Sequence, residues 1–525
     1  MSQQISETIS ADREISDPTG PLTVQSKTRV VGLDTVRGFA LLGILMLNIV
    51  DFGWPNEAYD RVTALYYTPA SIGKIHEPAK PSDEKKNTDW KSLDDPKPDL
   101  KSAYPSGQLR VAAVSSDWDV TEWALANVFF ANKMRTLFCI MFGAGMIYLT
   151  QRSINSGRRP VWLYYRRMFI LLLIGSFHAY LIWHGDILFA YAATGLYLYP
   201  FRKYSSQTLM WISIAMFASF VSLLWVGAGV MHHVWVHGSA LERQVLANSD
   251  QSLMTQKQDT KDLEVYQKVR SEARKTAVNQ LSKFDQLILQ GFLGLNRENR
   301  AQSPESLTKT IRIFGQGSYF GMVKERAGEL IWMHVAMLTP LSLLFLGWLM
   351  ILGMSLAKTG FFAGDWPLTT YQFWVFRLVP LGWIIEAALM LARQGLPSGS
   401  IFSLAILTPI HQAVIPMLSL GYASALILAI HGGYFTGFTN RLADVGRMAL
   451  SNYLAQSVIC TFVFYSYGLG LFGMIPRVGL VLIVLCVWAL ELWWSPKWLA
   501  KHTFGPVEWL WRSLTYRKLQ PFRKD

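Results

Sequence analysis

Val30-Val31-Gly32-Leu33-Asp34-Thr35-Val36-Arg37-Gly38-Phe39-Ala40-Leu41-Leu42-Gly43-Ile44-Leu45-Met46-Leu47-Asn48-Ile49-Val50 is the first apolar run of the chain, and it carries no charge between Arg37 and Asp51. About 20 such residues wound as a helix cross a hydrocarbon core about 30 Å thick. Further blocks of this kind recur at roughly 123–150, 163–183, 187–201, 207–231, 329–356, 369–392, 402–430, 447–472 and 478–496. Of 525 residues, 51% are hydrophobic and only 16% charged, against about 25% charged in soluble domains. A soluble chain of this length would instead spread amphipathic periodicity over two or three domains. The fold class is therefore an all-α, polytopic transmembrane helix bundle of about ten helices, with the lipid bilayer as its first partner.

Charge placement sets the expected topology. Lysine and arginine crowd one set of flanks: Lys27 and Arg29; Arg152, Arg158, Arg159, Arg166 and Arg167; Arg202 and Lys203; Lys358; Arg441 and Arg447; and the tail from Lys497 to Lys524. The opposite short loops hold only Arg393 and Arg477. Cytoplasmic flanks are the basic ones, which predicts an inner-membrane, multi-pass protein with both termini cytoplasmic. The net charge of +13 then reports topology, and nucleic acid is excluded as a partner. Residues 1–29 are polar and read as a cytoplasmic tail, not a secretory signal. The two membrane halves span 30–231 and 329–500, and 501–525 forms an interfacial cytoplasmic tail. Two long hydrophilic stretches, 53–122 and 232–328, fall outside. The first reads as loosely folded, the second as partly helical from Leu241 to Leu289. Cys139, Cys460 and Cys486 all lie in apolar blocks and read as small buried hydrophobes, with no disulfide framework and no metal site.

The costly residues come next. Arg37 sits about two turns inside the first helix with Asp34 one turn back on the same face. An intramembrane arginine is expensive and points to function with a named partner; a snorkelling arginine beside a capping aspartate is the plainer alternative. His178, His184, Asp186, His334 and His411 all fall in the outer half of the membrane or at its outer edge under this topology, and Lys133 and Arg135 near mid-depth, or near the outer edge if residues 119–131 form an interfacial segment. Histidine titrates near pH 6.5 and suits acid–base work, and Asp186, two residues from His184, is placed to orient it. Asp34, Arg37, Arg447, Asn452, Gln456 and Glu491 form a second polar set on the cytoplasmic side, where arginines suit phosphates. Glu386, deep in the seventh helix, calls for Arg377 or a histidine as partner, or for a proton. Gly468-x-Gly470-x-x-Gly473 matches a dinucleotide fingerprint but lacks the preceding strand, so it is a chance match.

Leu33-Asp34-x-x-Arg37-Gly38 followed by an apolar helix resembles the opening of the transmembrane acyltransferase superfamily. The YeiB-like family, domain of unknown function 418, is more similar still. Lys133-Met134-Arg135-Thr136-Leu137-Phe138 with Phe142-Gly143, Arg166-Arg167 through His178 to Trp183-His184-Gly185-Asp186, Gly446-Arg447 to Asn452-Tyr453, and Gly505-Pro506-x-Glu508-Trp509-x-Trp511-Arg512 carry the likeness. The resemblance implies that Arg37 borders an acyl-CoA channel. One related branch has a base histidine eleven positions after that arginine, where this chain has Asn48. Another, resembling lysosomal heparan acetyltransferase, has its histidine in the following loop, where this chain reads Val114-Ser115-Ser116-Asp117-Trp118; His76 is the only histidine of that loop.

The resulting expectation is an acyltransferase-like enzyme that moves an acyl group from cytoplasmic acyl-CoA to an outer-face acceptor, an envelope glycan or a small molecule. His178, His184 and Asp186 are the expected catalytic residues; Asp34, Arg37, Asn48, Lys133, Arg135, Arg447 and Asn452 are the expected substrate-binding ones. A small-solute transporter using the same two polar sets as gates, or an envelope-organising protein, is the alternative.

Overall fold

The computed structural model describes residues 30–55, 117–155, 157, 160–255, 263–300, 309–340, 342–394 and 403–524. The tail 1–29 and most of the 53–122 stretch, His76 included, lie outside the described residues.

In chain order the helices are α1 (Val31–Gly53), α2 (Asp117–Leu125), α3 (Lys133–Asn155), α4 (Pro160–Phe177), α5 (Leu188–Leu198), α6 (Ser206–Thr255), α7 (Leu263–Asn279), α8 (Lys283–Arg300), α9 (Tyr319–Met337), α10 (Trp348–Lys358), α11 (Leu368–Phe373), α12 (Val379–Gln394), α13 (Thr408–His431), α14 (Thr436–Arg447), α15 (Ala449–Phe464), α16 (Arg477–Lys501) and α17 (Pro506–Tyr516). Among the described residues there is no strand, and seven helices are long and apolar enough to span a bilayer. Two shorter apolar helices, Leu343–Lys358 and Ala449–Phe464, accompany them. The protein is a helical membrane protein, as its composition demands.

α1 is the axis of the bundle. Of its most apolar window 72% is buried, against 17% for Ser206–Ser249 on the periphery. α1 is so enclosed because glycines let other backbones touch it. A methyl group on Gly38 would collide with the Leu442 carbonyl, and one on Gly446 with the Asp34 carbonyl, so α1 and α14 cross backbone to backbone. Gly143 and Gly353 make the same reciprocal contact between α3 and α10. The basic flanks meet at one end of the bundle: Arg166 donates to the Thr515 carbonyl (2.9 Å) and Lys358 to that of Arg202 (2.8 Å). The other end is closed by Trp54, whose indole N–H donates to the Ile475 carbonyl at 2.8 Å.

Four expectations need correction. The 207–231 helix does not stop at 231; α6 continues to Thr255, and its extension packs with α7 and α8 around Val245, Val278, Leu289 and Phe292. The 329–356 helix is broken between Met337 and Leu343. Pro340 supplies no N–H and disfavours a helical Thr339, so the chain turns there. Cys486 is exposed on the outer surface of α16, unlike the buried Cys139 and Cys460. The helix expected to 472 ends at Phe464, and Gly470 and Gly473 take positive φ in the turns beyond it.

Candidate functional site

α4 ends in a wide π-helical turn, His178–Ile182, and such turns often sit at functional sites. The chain then runs through Trp183, whose ring stacks on Phe52 at 4.0 Å, and doubles back to start α5. That return brings Asp186 onto His178: Nδ1 donates to Oδ1 at 2.7 Å, with both side chains fully enclosed. The other carboxylate oxygen, Oδ2, accepts the Phe189 N–H at 2.6 Å in the first turn of α5, whose dipole favours negative charge. Gly175 makes the fold-back possible, since a methyl there would strike the Phe189 nitrogen and sit 3.0 Å from Asp186 Oδ2. An ionised carboxylate only accepts, so the proton belongs on Nδ1 and the lone pair on Nε2. Nε2 is buried and, among the described residues, has no hydrogen-bond partner. The Tyr453 ring flanks the imidazole, centroids 5.1 Å apart, and its hydroxyl holds the loop by accepting the Ile187 N–H at 3.3 Å.

Asp186 therefore serves His178, not its sequence neighbour His184. His184 faces Asp51 of α1 at 3.6 Å, in a small open cleft lined also by Trp54, Glu325, Tyr465 and Phe472. Buried Arg326 closes this side: its Nη1 donates to the Ile182 carbonyl at 2.8 Å, and its guanidinium lies 5.3 Å from the Tyr465 ring centroid. Sequence reasoning missed Asp51, Arg326 and Tyr465. Arg326 belongs to α9, which starts ten residues before the expected helix, so it was read as loop. His334 stacks on Phe189 at 3.8 Å, three residues past Asp186.

His411 is not part of this group. It joins Lys133 on Glu386: Lys133 Nζ donates to Oε2 at 3.1 Å and His411 Nδ1 to Oε1 at 2.9 Å. Lys133 Nζ also donates to the Asn127 carbonyl at 2.8 Å. Glu386 thus takes a histidine and Lys133, and not Arg377. Arg135, two residues on, donates to Asn132 at 2.8 Å. Asn132 sits at φ 61° in the kink that starts α3.

At the basic end Arg37 Nη1 donates to Asp34 Oδ1 at 3.0 Å. Its other amino group is 3.9 Å from where a β-carbon on Gly145 would stand. Arg37 and Arg512 both repel Arg167, whose guanidinium covers the Trp511 ring at 3.7 Å. Arg447 instead pairs with Asp444 on its own helix at 3.0 Å. Asn452 is spent inside the protein: it donates to Ser495 Oγ (3.0 Å) and the Val445 carbonyl and accepts from Trp494 (2.8 Å). Asn48 is half-buried in α1. Gln456 donates to Glu491 at 3.0 Å. Glu508, in the tail expected to lie at the interface, turns inward. Its Oε1 accepts the N–H groups of Leu450 (2.7 Å) and Ser451 (3.0 Å) at the start of α15, and its Oε2 accepts the Ser451 hydroxyl. Burial pushes the Glu508 carboxyl above the usual carboxylate range, against the downward pull of these bonds.

Residues 356–518 match the family described as "Protein of unknown function (DUF418)". The uncharacterized protein YxaH of Bacillus subtilis is 26% identical over 94% of this chain and 96% of its own. The uncharacterized protein YeiB of Escherichia coli is 27% identical over 94% of this chain and 98% of its own. No solved structure matches the chain.

Proposed function

We propose, from the premise that this chain belongs to the YeiB-like family of proteins of unknown function, that it is a membrane-embedded acyltransferase with His178 as general base. The observation that carries the reading is the enclosed His178–Asp186 pair with an unpartnered Nε2. A carboxylate on Nδ1 fixes the tautomer and stabilises the imidazolium that forms during proton transfer. In the proposed step Nε2 takes the proton of an acceptor hydroxyl. The freed oxygen attacks the thioester carbonyl of acyl-CoA, the C–S bond breaks, and the departing thiolate recovers the proton from the imidazolium. The ester and free CoA are the products, and atoms balance without a metal.

The basic end faces the cytoplasm of the inner membrane by the positive-inside rule. Arg37, Arg167 and Arg512 gather there and suit the phosphates of the donor. The His184–Asp51 cleft at the opposite end suits an acceptor arriving from outside, a glycan or a small hydroxylated molecule. Purified protein with labelled acetyl-CoA tests this: His178→Ala should lower transfer or hydrolysis by about 10²–10⁴-fold, the range of one general base. Wild-type turnover in the His178→Ala protein would remove the reading.

A second reading, a proton-linked transporter, is favoured by one observation. Lys133, Glu386 and His411 form a titratable cluster within the bundle, the kind of group found in proton relays. Proton-driven solute uptake into vesicles without acyl-CoA binding would select it.

A further inference from the structure

Arg135 presents an electrostatic problem that the protein alone does not solve. The preceding residue, Met134, packs on Gly43, halfway along α1, so Arg135 lies near the middle of the span. Its side chain is exposed, and its hydrogen bond goes to the neutral amide of Asn132. Among the described residues no carboxylate lies within ion-pair distance of it. Glu386 is already shared between Lys133 and His411. An arginine at this depth is costly and calls for an anion, water or further acceptors beside it.

Arg135 lines a second cleft, open on one side, between α3, α6, α10 and α13. Its polar lining is rich in donors: the guanidinium, the Asn132 and Gln412 amides, and Trp348, whose buried indole N–H has no acceptor among the described residues. Its other walls are apolar, with Phe220 and Phe345 edge to face at 5.7 Å. A guanidinium and an unsatisfied indole N–H in a cleft that also presents apolar rings suit an amphiphile with an anionic head.

We infer that this cleft binds an anionic amphiphile, its carboxylate or phosphate on Arg135 and Trp348 and its acyl chain along Phe220 and Phe345. The site is separate from His178 and does not rest on the acyl-transfer reading. A free fatty acid and a phospholipid head share the required chemistry, and two arms of the test separate them.

The experiment measures equilibrium binding of labelled oleate and of oleyl alcohol to the purified full chain in detergent. Displacement by phosphatidylglycerol forms the second arm. Saturable oleate binding at least about tenfold tighter than oleyl alcohol is expected, because the charge-assisted bond is lost with the alcohol. Displacement by phosphatidylglycerol assigns a phospholipid, and resistance to it assigns a free carboxylate. Arg135→Gln should weaken binding by about tenfold or more, and Arg135→Lys should keep most of it. Leu349→Trp fills the cleft and leaves the arginine, so it should also abolish binding if Arg135→Gln fails to fold. Equal binding of oleate and oleyl alcohol, no binding of either anion, or Arg135→Gln and Leu349→Trp proteins that bind like wild type would overturn the inference.

Discussion

His178 Nδ1 lies 2.7 Å from Asp186 Oδ1, and Asp186 reaches there only because Gly175 lets the start of α5 press against α4. The pair is thus built by a fold-back of eight residues around a π-helical turn, with one carboxylate oxygen on the imidazole and the other on the Phe189 N–H.

This relationship predicts a graded series. Asp186→Asn keeps the shape but supplies an amide that can leave the wrong nitrogen of His178 protonated, so transfer should fall by about 10²–10⁴-fold with little loss of stability. Asp186→Ala also strands the Phe189 N–H and should cost about 1–3 kcal/mol. Turnover and thermal unfolding measured on the same two preparations separate the effects; equal turnover in wild type and Asp186→Asn would show the pair to be structural.

Gly175→Ala should damage activity without touching either residue chemically. The methyl pushes the start of α5 away, and overpacking of this kind costs about 1–3 kcal/mol. Gly227, with open space around it, is the control, and Gly227→Ala should be near neutral. Comparable behaviour of the two variants in melting and turnover would contradict the close-approach argument.

The Lys133–Glu386–His411 cluster should be strongly non-additive. Lys133→Met leaves Glu386 buried with His411 alone, and breaking one member of a buried pair costs about 3–5 kcal/mol. Lys133→Met with Glu386→Leu removes both charges and should recover part of that loss. A double-mutant cycle that sums to zero would mean the charges do not interact.

Arg37 and Asp34 form a milder pair. Arg37 is 25% exposed and Asp34 6%, so their coupling should fall between the roughly 1 kcal/mol of surface pairs and the roughly 3–5 of buried ones. The measurement is the coupling term between Asp34→Ala and Arg37→Ala in unfolding. A value near zero would reduce the pair to a solvated cap.

Glu508 gives a pH prediction with a definite sign. Burial raises its carboxyl above the unfolded value, so the folded state holds the proton more tightly. Its contribution is therefore complete below the unfolded carboxylate range and is lost as pH rises through the raised folded value. Glu508→Gln keeps an acceptor for the α15 N–H groups without the charge, and should flatten that dependence. Glu508→Ala should cost about 1–3 kcal/mol, because the Leu450 and Ser451 donors lose their acceptor. Identical pH–stability curves for wild type and Glu508→Gln would contradict the sign.

The sequence by itself determined that helices form and where most of them lie, because about 20 apolar residues and the absence of water leave the backbone no other way to satisfy its polar groups. It also singled out Arg37, Lys133, His178, Asp186 and Glu386, since charge inside an apolar block is costly wherever the block goes. The pairings were decided only by the tertiary structure. Asp186 was closer in sequence to His184 but belongs to His178, because the π-helical turn and Gly175 set which face meets α5. Glu386 finds Lys133, 253 residues away, because α3, α12 and α13 meet at one depth. Arg326 joins the site because α9 starts at Tyr319, capped by Ser318, ten residues before the apolar block begins. Periodicity within one helix reports burial and cost. It carries no record of the rotation and crossing of helices far apart in the chain, and those set which charge meets which.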